Sequence, residues 1–126
     1  MILAIKTDQP QAELYILADN GTIKQKHTYQ ADRQLAATLL GEIQTFLAEH
    51  DLAFNNLSGI VYFSGSGSFT GLRIGASVAN TLAYSLGVKV AKTAGKDWLE
   101  NAASELAAAS IGSYPAPDYD KKPNIS

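Results

Sequence analysis

The residues that decide the fold are Ser64-Gly65-Ser66-Gly67-Ser68-Phe69-Thr70-Gly71-Leu72-Arg73-Ile74-Gly75. They follow a short apolar run at 59–63 and lead into a longer pattern of apolar residues spaced three and four apart. This succession predicts a strand, a tight loop and a helix. A glycine-rich turn that enters a helix can hold an anion, because free backbone N–H groups and the positive end of the helix dipole point the same way.

Neither general nucleotide-binding motif is present in this loop. A Walker loop requires a lysine directly after its last glycine, and no lysine stands there. The dinucleotide fingerprint requires a third glycine at the position of Thr70. An anion or nucleotide contact is therefore predicted only from the general chemistry of the loop and of the first strand's end, at Lys6, Asp8, Gly65, Gly67, Ser68 and Thr70.

The loop resembles the signature of the TsaB (YeaZ) family, bacterial proteins of threonylcarbamoyladenosine modification of tRNA. Family members typically carry Gly-Pro-Gly-Ser-Phe-Thr-Gly-Leu-Arg-Ile-Gly, and residues 65–75 reproduce it with Ser66 in place of the proline. Residues 1–8 are similar to the family's first strand, and the resemblance extends to about residue 105. The family's His-Ser-Glu on the first helix is missing at 34–37, and we expect no second domain. We therefore expect a short form of the family.

Length and composition indicate one domain, since 126 residues suffice for a single ordinary core. Ten basic residues stand against twelve acidic ones, so we expect tRNA to be contacted only indirectly. The chain has no cysteine, which excludes disulfides and thiolate chemistry. No apolar run approaches membrane-spanning length and the first residues lack a signal-peptide pattern, so we expect a cytoplasmic protein without membrane contact.

Periodicity and turn residues predict five strands and three helices. Asp19-Asn20-Gly21 indicates a two-residue hairpin turn, Asp32 is the expected N-cap of the first helix, and Gly87 is the expected left-handed end of the second. The predicted strands are 2–5, 12–18, 22–29, 59–63 and 88–91, and the predicted helices are 31–50, 71–86 and 96–110.

The element order β-β-β-α-β-α-β-α predicts an α/β fold with a mixed five-stranded sheet. A strand order of 3-2-1-4-5 makes strands one and four parallel neighbours, so residues 6–8 and the signature loop meet at one sheet edge, where open sheets bind ligands. The resemblance implies the same architecture, a single ribonuclease H-like domain of the actin, Hsp70 and sugar-kinase superfamily. We assign it to residues 1–111 and expect an extended or disordered tail at 112–126.

Small residues repeat every four positions along the predicted second helix, at Gly71, Gly75, Ala79 and Ala83. Glycine inside a helix costs about 0.5–1 kcal/mol relative to alanine, so Gly75 requires a packing reason. Such a stripe lets another helix approach closely. That helix is either the first helix of the same chain or the helix of a partner.

The resemblance favours the partner. TsaB-like proteins pair with their paralogue TsaD through two adjacent helices of this domain, which form a bundle of four. This implies a partner interface at Leu35, Leu39, Gly71, Leu72, Arg73, Gly75, Ala79 and Ala83.

The remaining candidate residues each have a simpler structural interpretation. In nucleotide-using relatives of this fold the first strand ends in an acidic residue, and Lys6 in its place argues against ATP hydrolysis because a cation cannot coordinate magnesium. Lys6 and Asp8 are then a solvated strand end. Arg73 opposes the dipole of the predicted helix by roughly 0.3–1 kcal/mol, which an anion, an acidic partner, a local carboxylate or plain solvent exposure offsets.

The hydroxyl groups of the loop indicate structure rather than catalysis. Ser68 or Thr70 is expected to be the N-cap of the second helix. Neither has an activating base beside it in sequence, and His27 and His50 are too far apart to form a zinc-binding His-x-x-x-His pair. We predict no catalytic residue, no metal site and no cofactor.

The sequence thus predicts a non-catalytic subunit that binds and activates a TsaD-like enzyme in threonylcarbamoyl transfer to the anticodon-adjacent adenosine of tRNA. The resemblance implies a heterodimer, with a TsaE-like ATPase as a further member of the complex, and a homodimer in isolation. One alternative is a small ATPase or phosphotransferase that uses the glycine-rich loop. Another is a stand-alone homodimeric interaction module.

Overall fold

A computed structural model describes residues 1–65 and 69–115 of the chain. Its strands are β1 (Ile2–Lys6), β2 (Gln11–Leu17), β3 (Ile23–Gln30), β4 (Gly59–Phe63) and β5 (Lys89–Thr93). Its α-helices are α1 (Leu35–Glu49), α2 (Phe69–Leu86) and α3 (Ala102–Ala108), and short 3-10 helices lie at Asp32–Gln34 and Phe54–Asn56. None of the helices in this described part is long and apolar enough to cross a bilayer.

The five strands form one mixed sheet in the order β3-β2-β1-β4-β5, which confirms the predicted topology. β1 pairs antiparallel with β2 and parallel with β4, with Ile5 opposite both Leu14 and Tyr62. Ile2, Leu3, Ala4 and Ile5 are all buried, as expected for a central strand covered on both faces. β3, the polar strand, lies at one edge.

The sheet separates two apolar clusters. On one face, Leu3 and Ile5 of β1 pack with α1 and with Ala76 and Ala79 of α2. On the other face, Ile2 and Ala4 pack with α3 and with Trp98. Successive strand residues point to opposite faces, so the apolar β1 supplies both clusters. The fold is therefore a three-layer α/β/α arrangement.

The β2–β3 connection differs from the predicted two-residue turn. The Gly21 N–H donates to the Ala18 carbonyl and the Ala18 N–H to the Thr22 carbonyl, each at 2.8 Å. Gly21 has φ +96°, whereas Asp19 and Asn20 do not have positive φ. A type I′ turn would need positive φ at both central residues, so the chain uses a longer turn with glycine in the left-handed position.

Two helix starts also lie further along the chain than predicted. Asp32 is not the N-cap of α1, because it lies in the preceding 3-10 turn with φ +49° and α1 begins at Leu35. The helix predicted from residue 96 begins at Ala102, although Trp98 and Leu99 are buried as predicted. In both places a tight turn comes first, which apolar spacing alone does not distinguish from a helix.

The end of α2 is where the sequence predicted it. Gly87 has φ +68°, its N–H donates to the Tyr84 carbonyl, and the Val88 N–H donates to the Ala83 carbonyl. This Schellman pattern confirms the predicted helix end. Of the predicted tail, residues 112–115 carry no helix or strand, and residues 116–126 lie outside the described part.

Candidate functional site

The carboxyl ends of β1 and β4 lie side by side, as predicted. Their parallel pairing brings Lys6, Thr7 and Asp8 to the same sheet edge as Ser64 and Gly65. Gly67 and Ser68, two of the predicted anion contacts, lie outside the described residues. This edge is the region that the sequence selected as the candidate site.

Lys6 and Asp8 form a covered ion pair at this edge. The Lys6 Nζ lies 2.6 Å from the Asp8 Oδ1, and the two side chains are only 18% and 9% exposed. The same Nζ lies 4.6 Å from the centre of the Phe63 ring, so it also makes a cation–π contact. The interpretation of these residues as a solvated strand end is wrong. Because the carboxylate neutralises the ammonium, the pair presents little net charge to a phosphate.

Strand alternation divides the predicted anion contacts between the two faces of the sheet. Lys6 points to the face of Phe63, whereas Thr7 points to the face of α1 and α2. Thr70, at the start of α2, is exposed on the side of Thr7. The structure therefore does not bring Lys6 and Thr70 together into one contact site.

Thr7 is the structural residue of this edge that the sequence did not single out. Its side chain is buried, and its Oγ1 donates a 2.7 Å hydrogen bond to the Gly71 carbonyl. A Cβ placed on Gly75 would lie 2.3 Å from that Oγ1. Thr7 thus fixes the first turns of α2 against β1. In the sequence, only the spacing of the glycines in α2 indicated a close contact at this place.

The small-residue stripe serves this internal packing and not a partner. Gly71 and Gly75 are buried, and Ala79 and Ala83 are 0% exposed. The predicted partner contacts Leu35, Leu39 and Leu72 are also buried in the chain's own clusters. The assignment of these seven residues to a partner surface is wrong, because α2 packs its small side chains onto its own sheet.

Arg73 is the predicted interface residue that the structure leaves exposed. Since α2 begins at Phe69, Arg73 lies beyond the first turn, where its conflict with the helix dipole is weaker than predicted. Thr70 lies inside the same helix and is not its N-cap. The alternative N-cap, Ser68, lies outside the described residues.

A second feature of this edge is a cavity of about 800 Å³ between the starts of α1 and α2. Its walls include Thr7 and Pro10 after β1, the 31–35 segment, and Thr70 and Ile74 of α2. Asp32 and Arg33 are its charged lining residues, and the Ala31 and Asp32 amides donate to the Pro10 carbonyl. Within residues 1–65 and 69–115 no three His, Cys, Asp or Glu side chains converge to hold a metal.

The outward sides of α1 and α2 form a separate, exposed surface. We call it the outer helix surface and define it by Ala37, Leu40, Gln44, Arg73, Ser77, Thr81 and Tyr84, all exposed. Leu40 is 50% exposed and Tyr84 is 73% exposed. Large apolar or aromatic side chains such as these, together with the small Ala37, Ser77 and Thr81, are typical of a surface that another helix can contact.

Comparison with known proteins identifies relatives of this domain. Residues 19–107 match the family model of the tRNA N6-adenosine threonylcarbamoyltransferase TsaD. The chain is 34% identical over 89 residues to the tRNA threonylcarbamoyladenosine biosynthesis protein TsaB of Bacillus subtilis (strain 168), a match that covers 71% of this chain and 38% of the relative.

Two solved structures are also similar to this chain. YeaZ from Pseudomonas aeruginosa superposes with a TM-score of 0.66 at 28% identity, over 74% of this chain and 43% of that one. An uncharacterized protein described as similar to peptidase YeaZ, from Pseudomonas aeruginosa, superposes with a TM-score of 0.67 at 27% identity, over 74% and 42%. The chain spans less than half the length of these relatives.

Proposed function

The chain belongs to the TsaB (YeaZ) family, and from this we propose that it acts in threonylcarbamoyladenosine biosynthesis as a non-catalytic subunit of a TsaD-like enzyme. Its ribonuclease H-like α/β fold is that of its relatives. In the proposal the partner carries out threonylcarbamoyl transfer to tRNA. A TsaE-like ATPase is a further member of the complex, which works in the cytoplasm and meets tRNA through the partner.

The observation that carries the proposal is a double match of one domain. The chain resembles a TsaB protein over 89 residues, and its residues 19–107 match the family model of TsaD. Two proteins built on one domain can pair about a pseudo-two-fold axis and use the same patch on each, as identical subunits do. A TsaD-like protein is therefore the partner whose surface is best matched to this chain.

The outer helix surface is the part of the chain that we assign to this pairing. Leu40 and Tyr84 are exposed, and complete burial of such a side chain contributes roughly 1.5–3 kcal/mol. The smaller Ala37, Ser77 and Thr81 on the same surface allow close approach of a second helix pair. Each side of a stable interface buries about 800 Å², which two helices of this length can supply.

The covered Lys6–Asp8 pair supports a role outside the chemistry. Its opposite charges neutralise each other within the chain, and we propose no cofactor for this domain. The ATP-binding alternative depends on the glycine-rich loop, part of which lies outside the described residues, and it stays a prediction. Calorimetry with ATP and magnesium tests it.

The binding surface is tested with Leu40→Lys against the TsaD homologue of the same organism. Lysine keeps the helix propensity of leucine but places a charge in the proposed contact. We expect the Kd from calorimetry to rise at least tenfold. Ile23→Lys is the matched control, because Ile23 is similarly exposed but lies on β3, and it should leave the Kd unchanged.

Two results would contradict the proposal: no complex at micromolar concentrations, or equal binding by wild type and Leu40→Lys. If the chain instead forms a homodimer that Leu40→Lys disrupts, while the TsaD homologue does not bind, the surface serves a stand-alone interaction module.

A further inference from the structure

The chain crosses from one face of the sheet to the other after α3. α3 packs on the face of Trp98, yet residues 113–115 contact β4 and α2 on the opposite face. The Tyr62 hydroxyl donates to the Pro115 carbonyl at 2.5 Å, and the Asn80 Nδ2 donates to the same oxygen at 3.1 Å. We call residues 113–115 the C-terminal latch.

The two hydrogen bonds come from side chains that are rooted in the folded core. Tyr62 is 1% exposed and belongs to the cluster under α1 and α2. Asn80 lies on α2 one turn before Tyr84. Because two donors converge on one carbonyl oxygen, both of its lone pairs are used and the position of Pro115 is defined.

The closed arrangement has an internal cost. The Asn80 Oδ1 is buried and has no hydrogen-bond partner among the described residues. A buried acceptor without a partner costs stability, because it lacks the hydrogen bonds that water would supply. The hydrogen bonds to Pro115 and the unpaired oxygen thus act in opposite directions on the stability of this arrangement.

The latch also contacts one edge of the outer helix surface. The Tyr114 ring lies edge-on to the Tyr84 ring, with 6.0 Å between centroids and 63° between planes. Tyr84 belongs to the outer helix surface, so a partner helix that packs on Tyr84 lies beside Tyr114.

We infer that the C-terminal latch is an autoinhibitory contact: it lies against Tyr84 at one edge of the outer helix surface and must lift before a partner helix can bind there. The inference rests on the proposed function for the identity of the partner. Latch opening and partner binding then compete, and each shifts the other by the same factor.

The test uses the full chain and Tyr114→Ala, which removes the ring contact with Tyr84. The first measurement is the mobility of the Tyr114 backbone by ¹⁵N NMR relaxation, with the nuclear Overhauser effect between the Tyr84 and Tyr114 rings. In the wild type we expect ring contacts and an order parameter near 0.85. In Tyr114→Ala we expect a value below about 0.6.

The second measurement is the Kd for the TsaD homologue. Opening the latch with Tyr114→Ala should tighten binding about two- to tenfold, the factor that one typical hydrogen bond or ring contact represents. Asn55→Ala is the matched control, since Asn55 is an exposed amide away from the latch. It should change neither measurement.

The outcomes separate the two proposals. A mobile latch in Tyr114→Ala with an unchanged Kd overturns the competition, and a Tyr114 backbone already mobile in the wild type overturns the latch itself. Failure of every variant to bind the TsaD homologue contradicts the proposed function and the competition with it, while the NMR result still decides whether the latch exists. Tyr62→Phe keeps the ring but removes the hydrogen bond from the Tyr62 hydroxyl to the Pro115 carbonyl. It should therefore mobilise Tyr114 without loss of folding.

Discussion

Thr7 and Gly75 set the distance between β1 and α2 at the scale of single residues. The Thr7 hydroxyl donates to the Gly71 carbonyl, and the face of α2 that approaches it has no side chain at Gly75. The hydroxyl thus lies within the space that an alanine Cβ at position 75 would occupy. This contact gives the physical reason for a glycine inside α2.

We predict that Gly75→Ala destabilises the chain by about 1–3 kcal/mol, because the new Cβ at 2.3 Å from the Thr7 Oγ1 overpacks the contact. Gly41→Ala is the control in α1, where a Cβ meets nothing within 4 Å. There the better helix propensity of alanine should stabilise the chain by about 0.5–1 kcal/mol. Urea unfolding measures both, and equal effects of the two changes would contradict the packing argument.

Tyr15 makes the stability of the folded state depend on pH in the alkaline range. Its hydroxyl donates to the Glu13 Oε1, and its ring lies against Trp98. Burial, followed by the hydrogen bond to the Glu13 carboxylate and its charge, raises the pKa of Tyr15 well above the usual value of 10. Burial raises the pKa of Tyr29 as well.

We therefore predict that stability falls as the pH rises above about 10. The unfolded chain then loses the Tyr15 proton while the folded chain still holds it, so fewer protons are bound in the unfolded state and the free energy of unfolding decreases. Tyr15→Phe should reduce the difference between stabilities measured at pH 8 and pH 11 by guanidinium unfolding. An unchanged difference would show that Tyr15 does not titrate in this way. Part of the pH dependence of stability should remain in Tyr15→Phe, because the pKa of Tyr29 is also raised.

At the scale of elements, α2 shows two faces that the sequence did not distinguish correctly. Its small-residue face contacts the sheet, and its outward face carries Arg73, Ser77, Thr81 and Tyr84. A stripe of small residues allows close approach to any neighbour, whether a helix or a sheet. Only the position of β1 and Thr7 decides that the neighbour is the chain's own sheet.

Ala79→Trp tests this orientation of α2. Because Ala79 is 0% exposed, a tryptophan there has no room and should destabilise the chain by about 1–3 kcal/mol or more. If the small-residue stripe instead contacted a partner, assembly should fail in this variant while folding persists. Thermal unfolding followed by circular dichroism separates internal packing from partner contact. An unchanged melting temperature would mean that Ala79 is not packed against the sheet and would support its assignment to a partner surface. Thr81→Trp, on the outward face, should leave the melting temperature nearly unchanged.

At the scale of the whole molecule, one sheet joins two apolar clusters into a single cooperative unit. β1 contributes Leu3 and Ile5 to the α1–α2 side and Ile2 and Ala4 to the α3 side. Neither cluster can be exposed without loss of strands that the other requires. Small domains of this kind unfold in one step.

We predict coincident unfolding transitions from two probes. The fluorescence of Trp98, the one tryptophan of the chain, reports on the α3 side. Far-ultraviolet circular dichroism is dominated by α1 and α2, the longer helices among the described residues. Both should give the same denaturant midpoint within error, and an earlier loss of Trp98 fluorescence would mean that the α3 side unfolds as a separate unit.

The sequence alone determined the fold of this chain. Alternating and continuous apolar runs specify strands, three-and-four spacing specifies helices, and the connections between parallel strands admit few sheet orders. Gly87 marked the end of α2 because a left-handed residue there is best met by glycine. The signature at 65–75 pointed to the family because its order of residues is specific.

Only the tertiary structure decided which surfaces face inward. The sequence shows that Lys6 and Asp8 carry opposite charges. Whether their side chains are solvated depends on Phe63, which is distant from them in sequence. The use of the small-residue stripe depends on Thr7, and the position of residues 113–115 depends on Tyr62 and Asn80. Each decision rests on contacts between residues distant in sequence, and helical or strand periodicity carries no information about such contacts.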